Sequence, residues 1–480
     1  MAVERTTVQP GKSNERLKSV FEKQRQAVVV IHGIGNQRPM ETLRPFVDAI
    51  LDVDPATSKY YSKPDELSNT FELRRLQSKD SRPRTDYFEL YWQHLVPTAT
   101  WRKMYDWLTL LLARPVHTVP PPLRKVWLLS WIISISILVL LGLTLLGWLF
   151  PQLIPAFLSA PKTTPLGPTA ILALIQGLIL NYVGDAATYL SANPDNIQAR
   201  QAVRDAGVRL LERLHKAEAA GLGYDRIIIV GHSLGSMIGY DILTHAWPRF
   251  NEAHGSPECP ERTELAAAQR VAQKLWTEHG NIDQSSSMSA TTDWLRATRR
   301  LWLEQRVNRF PWLVTDFITL GSPLSHALLL LARNQADLQR KQVERELPTC
   351  PPQLDRDGTF SFPVNYVINE PRRRTIHCLH HAALFAQTRW TNLFFPARWM
   401  VWGDLIGGPV RPAFGPGVVD IPVGTTTRGG WLAHTSYWQR GKRYRGATKS
   451  AIEALIVALD IKRATFKAAE SPSSGTENET

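Results

Sequence analysis

Ser233 stands in Gly231-His232-Ser233-Leu234-Gly235, directly after the β-branched run Ile227-Ile228-Ile229-Val230. A serine flanked by glycines two positions away on either side, at a strand-to-helix junction, sits on a turn too tight for large neighbours. The turn lifts the hydroxyl above the sheet edge. That placement suits attack on a carbonyl carbon and formation of an acyl-enzyme that water then resolves. A bare GxSxG arises by chance in about one chain of this length in ten at average glycine and serine usage. The buried strand before it and the small-residue helix start after it set this one apart from a glycine-rich structural turn.

The tetrahedral intermediate of such a reaction needs two backbone N–H donors aimed at its oxygen. One comes from the residue after the nucleophile and one from an early strand-to-helix loop. Leu234 is the candidate for the first. Ile34 is the candidate for the second, in His32-Gly33-Ile34-Gly35, where the glycines let the backbone approach. His32 reads as a structural histidine whose ring braces that loop.

The elements that must carry these loops follow from local pattern. Ala27-Val28-Val29-Val30-Ile31 and Arg226 to Val230 read as buried strands. Further strands are predicted at 87–92, 314–320 and 390–395, and helices at 40–51, 196–219, 324–338 and 447–464. The stretches between 51 and 87 and at 348–374 read as loops. Strands and helices alternating at this spacing predict an α/β fold, an open and mostly parallel sheet with helices on both faces. In such sheets the chemistry gathers at the carboxyl ends of strands, where both motifs lie.

AVVVIHGIGN at 27–36, RIIIVGHSLG at 226–235 and WLAHTSYW at 431–438 together resemble the α/β-hydrolase superfamily, in its lipase and esterase branch. The resemblance spans 27 to about 460 with large insertions. Its elbow is specific to the superfamily and not to a substrate. It implies the order serine, then acid, then histidine, so that a late histidine acts as base. His434, after a glycine-rich turn, is similar to the family's histidine loop; His377, His380 and His381 are rivals that read as a structural cluster. The acid implied after the penultimate strand is Asp404, among the glycines of Trp402-Gly403-Asp404-Leu405-Ile406-Gly407-Gly408, with Asp420 and Asp316 as rivals. No metal or cofactor is implied.

Composition adds a membrane. Residues 126–161 carry no charged side chain, nor do 163–184, and Lys162 alone separates them. As a helix, 126–150 is about 37 Å long, enough to cross a hydrocarbon core of about 30 Å. The return segment, 166–183, is diluted by Gly167, Pro168, Gln176, Gly177 and Asn181. Ile34 precedes this block while Ser233, Asp404 and His434 follow it, so convergence demands an even number of crossings: a transmembrane helical hairpin, or two segments that dip in without crossing. Arg114, Arg124, Lys125, Arg200 and Arg204 flank it, which predicts a hydrolase domain facing the cytoplasm. The segment 101–113 suits either a membrane interface or a core-facing helix. Tryptophans 101, 107, 127, 131 and 148 bracket or line the hairpin. Trp390, Trp399, Trp402, Trp431 and Trp438 flank the acid and base, either lining an acyl pocket or packing under loops.

The net charge of +13 fits an anionic membrane surface, and no nucleic-acid motif is present. Cys259, Cys350 and Cys378 lack CxxC spacing, which excludes a disulfide framework, argues against structural zinc and suits a reducing compartment. The polar start, 1–26, lacks an apolar run and predicts no secretory signal peptide. The expected organisation is a flexible segment at 1–26, the first part of the hydrolase domain at 27–123, the membrane hairpin at 124–184 and the second part at 185–466. That second part holds a polar helical insertion at 251–311, and a disordered tail follows at 467–480. The expected activity is serine hydrolysis of carboxylic esters, with a lipid-like acyl substrate and the membrane as partners; thioesters, acyl transfer and small soluble esters fit the same residues, and a catalytically inert hydrolase-like membrane interaction module is the alternative class.

Overall fold

A computed structural model of the chain describes residues 10–35, 37–52, 59–68, 70–79, 81–96, 194–251, 263–279, 284–369, 372–397, 403–404, 406–424, 431–439 and 450–470, with scattered positions between 113 and 189. The fold is α/β around an eight-stranded sheet. Its strands are β1 (Arg25–Ile31), β2 (Tyr60–Pro64), β3 (Arg74–Ser78), β4 (Arg84–Leu90), β5 (Arg226–His232), β6 (Val314–Leu320), β9 (Arg389–Phe394) and β10 (Val419–Pro422). A separate antiparallel pair joins β7 (Ser361–Asn369) to β8 (Arg372–Leu379). The order in the large sheet is β10-β9-β6-β5-β1-β4-β3-β2. From β10 to β4 every pairing is parallel, and β3 and β2 continue the β4 edge antiparallel.

The central strands are hydrophobic at successive positions because both faces are covered. Val29 and Ile31 of β1, with Ile227 and Ile229 of β5, pack in one apolar cluster with α3 (Pro194–His215), α4 (Leu234–Asn251), α5 (Thr263–His279) and α6 (Gln284–Val307). Val28, Val30, Ile228 and Val230 point the other way, into a second cluster with α2 (Leu43–Leu51) and α7 (Ala451–Leu459). The period of two along each strand thus divides the core into two layers. α1 (Pro10–Val20) lies outside the sheet against α6, together with α8 (Ala464–Glu470).

Several local expectations are corrected. The polar stretch before β4 forms the β2–β3 hairpin, and 348–374 contains β7 and the start of β8. The helix expected at 324–338 is broken: a short helical stretch ends at Leu330, and a new helix begins at Gln335 with Asn334 Oδ1 accepting the Asp337 N–H. The closing helix stops at Leu459, where Asp460 adopts the left-handed conformation, and α8 follows, running to Glu470, four residues into the expected tail. The insertion expected at 251–311 is helical, forming α5 and α6, and it contributes Trp294, Leu301 and Trp302 to the core.

The two apolar segments, 126–150 and 166–183, and the amphipathic stretch 101–113 lie outside the described residues except at scattered positions. Among the described residues no helix is long and apolar enough to cross a membrane. Cys350 and Cys378 are buried and are not joined in a disulfide.

Candidate active site

Ser233 is the single residue between β5 and α4, and its φ of 53° is left-handed, a strained conformation for a non-glycine residue. The strain persists because the surroundings determine the turn. Ser233 N–H donates to Leu320 O at 2.9 Å, and Ser236 Oγ donates to Ser233 O at 2.5 Å while bonding Ser322 Oγ at 2.7 Å. A Cβ on Gly235 would stand 2.2 Å from Ile31 O, and one on Gly231 would stand 2.5 Å from Ser236 Cα. The two glycines of the motif are therefore required by close backbone contact, as the sequence pattern implies.

His434 and Asp404 meet Ser233. The Ser233 hydroxyl donates to His434 Nε2 at 2.8 Å, and His434 Nδ1–H donates to Asp404 Oδ2 at 2.9 Å. All three residues are buried. The elements that bring them together are β5, the loop after β9 and the short turn Trp431–Thr435 that follows β10, all on the carboxyl side of the sheet. Asp404 Oδ1 accepts the N–H groups of Ile406 and Gly407, each at 2.9 Å, and Oδ2 also accepts the Tyr437 hydroxyl at 2.7 Å. Burial alone would raise this carboxyl, but His434, Tyr437 and the Gly407 N–H hold it down at about 2. It is ionised at neutral pH. Burial and the carboxylate beside it push the Tyr437 phenol well above its ordinary range, so that it remains a donor.

The proposed oxyanion donors flank the serine. Leu234 is the first residue of α4, so its N–H has no acceptor within the helix. The Ile34 loop lies directly against Ser233, because a Cβ on Gly33 would stand 2.8 Å from Ser233 Cβ. His32 braces that loop. Its Nδ1–H donates to Gly33 O at 2.9 Å, its Nε2 accepts the Trp92 N–H at 3.4 Å, and Trp92 Nε1–H donates to His32 O at 3.0 Å. Burial lowers the His32 pKa to about 4, which keeps the ring neutral in this tautomer.

Three contributors were not singled out by sequence reasoning. His232, inside the serine motif, donates from Nε2 to His434 O at 2.8 Å and packs edge-on against Trp438. Gly321, at φ +59°, lies under the Asp404–His434 pair: a Cβ there would stand 2.7 Å from Asp404 Oδ2 and 3.0 Å from His434 Nδ1. Tyr437 is the third. The signals that pointed to the first two were the Gly-His-Ser order and Gly321-Ser322-Pro323 directly after a strand, while Tyr437 lay within the late histidine segment.

The rivals have other partners. Asp316, at the opposite end of the sheet, is bonded to Arg226 at 2.6 Å, Arg299 at 2.8 Å and Arg389 at 2.6 Å. Asp420 accepts from Asn392 Nδ2 and from the N–H groups of Val410 and Arg411, bracing the loop that bears Asp404. His380 Nδ1 accepts the Ala382 N–H, and burial lowers its pKa to about 4. Trp390 is core, packed on Phe385 and Phe414, and Trp438 packs on His232 and Phe46. Trp399 and Trp402 lie outside the described residues. No metal-binding cluster is present among the described residues. Compared with known proteins, the chain matches no protein-family model, no curated protein and no solved structure.

Proposed function

We propose that the chain is a membrane-anchored serine hydrolase of the α/β-hydrolase superfamily that cleaves carboxylic esters with lipid-like acyl groups. The observation that carries this reading is the hydrogen-bonded path from Ser233 Oγ through His434 to Asp404, ending at a strained turn beside two backbone donors. An inert module would have no use for a buried, ionised Asp404 aimed at an otherwise buried histidine.

In this reading His434 Nε2 takes the Ser233 proton as Oγ attacks the ester carbonyl. The N–H groups of Leu234 and Ile34 receive the oxyanion. Collapse of the intermediate expels the alcohol, which leaves with the proton held by His434. Water, deprotonated by the same ring, then releases the acid. Asp404 keeps the proton on Nδ1 and stabilises the imidazolium without being protonated itself.

The membrane part is supported by topology as well as composition. β1 and β4, which precede the apolar block, are in one sheet with β5, which follows it, so an even number of crossings is required. The chain leaves β4 beside the Ile34 loop and returns into α3. Arg204 of α3 pairs with Asp241 of α4 at 2.7 Å, and His215 stacks on Phe250, so the two helices run side by side in one direction. Counting back at 1.5 Å per residue, Pro194 stands within about one turn of the height of Ser233. The described chain thus stops after β4 and resumes at α3 on the catalytic edge, which supports an edge turned toward the bilayer. Leu128, Trp131, Ile135 and Val139, among the few described positions of this block, are helical and exposed, as lipid-facing apolar side chains would be.

Hydrolysis of nitrophenyl esters of increasing acyl length by the full chain in detergent tests the reading. Turnover rising from acetyl to long acyl chains, lost in Ser233→Ala, is expected. A preference for acetyl counts against the lipid substrate, and faster turnover of matched thioesters counts against an ester.

A further inference from the structure

Glu89 is a carboxylate in an apolar layer. It projects from the carboxyl end of β4 to the α2 side of the sheet, the side of its neighbours Tyr87 and Val30, and is 2 % exposed. The first turn of α2 has no cap of its own, since the Thr42 side chain makes no capping bond. Glu89 supplies the acceptor instead: Met40 N–H donates to Oε2 at 2.6 Å, and the N–H groups of Thr42 and Leu43 act on the same carboxylate. Met40 is held at φ 70°, a strained conformation for this residue. Among the described residues, the other oxygen, Oε1, is buried without a hydrogen-bond partner.

This carboxylate belongs to a row. Three residues at the β4 exit hold three points of the loop that carries Ile34: Trp92 binds His32, the Tyr91 hydroxyl donates to Gln37 O at 3.0 Å, and Glu89 binds Met40. Ser233 presses on the same loop from the opposite side through Gly33. The loop is thus fixed between the nucleophile and the β4 exit, and its far end hangs on one buried carboxylate.

We infer that Glu89 is a positioning residue that holds the 33–42 loop, and with it the Ile34 N–H, where the oxyanion forms. The inference rests on the serine hydrolase reading. Burial pushes the Glu89 carboxyl up to about 7, against the three N–H groups, with Glu41 adding to the rise. The groups facing it are Glu41 from the loop and Tyr91 just after β4, neither a cation. Two readouts then move oppositely. Ionisation strengthens the bond to Met40 N–H, so turnover rises with pH through about 7. The folded pKa is above the ordinary 4.5, so the native state binds the extra proton and this group's contribution to stability falls as pH rises from 4.5 to 7.

The test compares full-length wild type, Glu89→Gln and Tyr91→Phe with one nitrophenyl ester across pH 5–9, with melting curves alongside. For Glu89→Gln, kcat about tenfold or more lower with KM within about twofold is expected, since a misplaced oxyanion donor acts on the transition state. Its kcat profile loses the component near 7, and its melting temperature loses the decline between pH 4.5 and 7. Tyr91→Phe, which alters no charge, lowers kcat a few-fold and retains both pH effects. It also supplies the answer if Glu89→Gln fails to fold. An unchanged kcat in either folded variant overturns the inference. Wild type that neither turns over nor reacts with a fluorophosphonate overturns the serine hydrolase reading itself.

Discussion

His232 Nε2 donates to the carbonyl oxygen of His434 at 2.8 Å, so the residue before Ser233 holds the backbone of His434. The rings lie 5.1 Å apart, and burial and the neighbouring His434 lower the His232 pKa to about 3. His232 is therefore neutral at working pH and acts as a fixed donor.

Replacing it tests that role. His232→Ala frees the His434 turn and should lower kcat by about tenfold to a hundredfold with little change in KM, because displacement of a catalytic group by about 1 Å costs that much. Steady-state kinetics check this. Because the ring is uncharged, the shape of the pH profile should be unchanged.

Asp404→Asn and Asp316→Asn should separate chemistry from structure. Asn at 404 holds the wrong tautomer of His434, and a loss of about 10⁴ in kcat in a folded protein is expected. The native Asp404 pKa, about 2, lies below the ordinary 3.8, so its contribution to stability is present above 3.8 and is lost as pH falls through 2. Asp404→Asn should remove that acid-limb dependence in melting experiments. Asp316→Asn instead leaves three buried arginines without their shared carboxylate, and a loss of about 3–5 kcal/mol is expected by denaturant unfolding.

Gly321→Ala should be severe for its size. The new methyl would enter the space between Asp404 and His434 from a left-handed backbone position. The conformation alone costs about 1–2 kcal/mol. The displaced pair should lower kcat at least a hundredfold, whereas Gly221→Ala, also left-handed but with nothing within 4 Å, should affect stability only. Paired melting and kinetic measurements distinguish the two.

Tyr437→Phe removes the hydroxyl shared by Asp404 and the Phe395 N–H. Leaving both buried partners short of a bond costs about 1–3 kcal/mol. Activity should fall a few-fold without a change in substrate preference, as measured with the same ester series.

What was legible in the sequence had short-range causes. Ser233 is marked by glycines whose close contacts are local, and β1, β5 and β6 are marked by hydrophobic runs that two covered faces demand. Asp404 was found among glycines because its loop must bend sharply to present a carboxylate to Gly407 N–H. What was missed depends on distant partners. Arg226, Arg299 and Arg389 look like solvated charges until three separate elements meet at Asp316. β2 and β3 are polar and become strands through pairing with β4, a partner that local pattern does not announce. The hold of Glu89 on Met40 joins residues 49 apart.

Reaction of the full-length protein with a fluorophosphonate, read by mass spectrometry of the adduct, is the most direct measurement. One adduct on Ser233, absent from Ser233→Ala and strongly slowed in Asp404→Asn, is the expected result. Folded wild type that takes no label, or Ser233→Ala that is labelled as fast as wild type, would contradict a nucleophilic serine at this site.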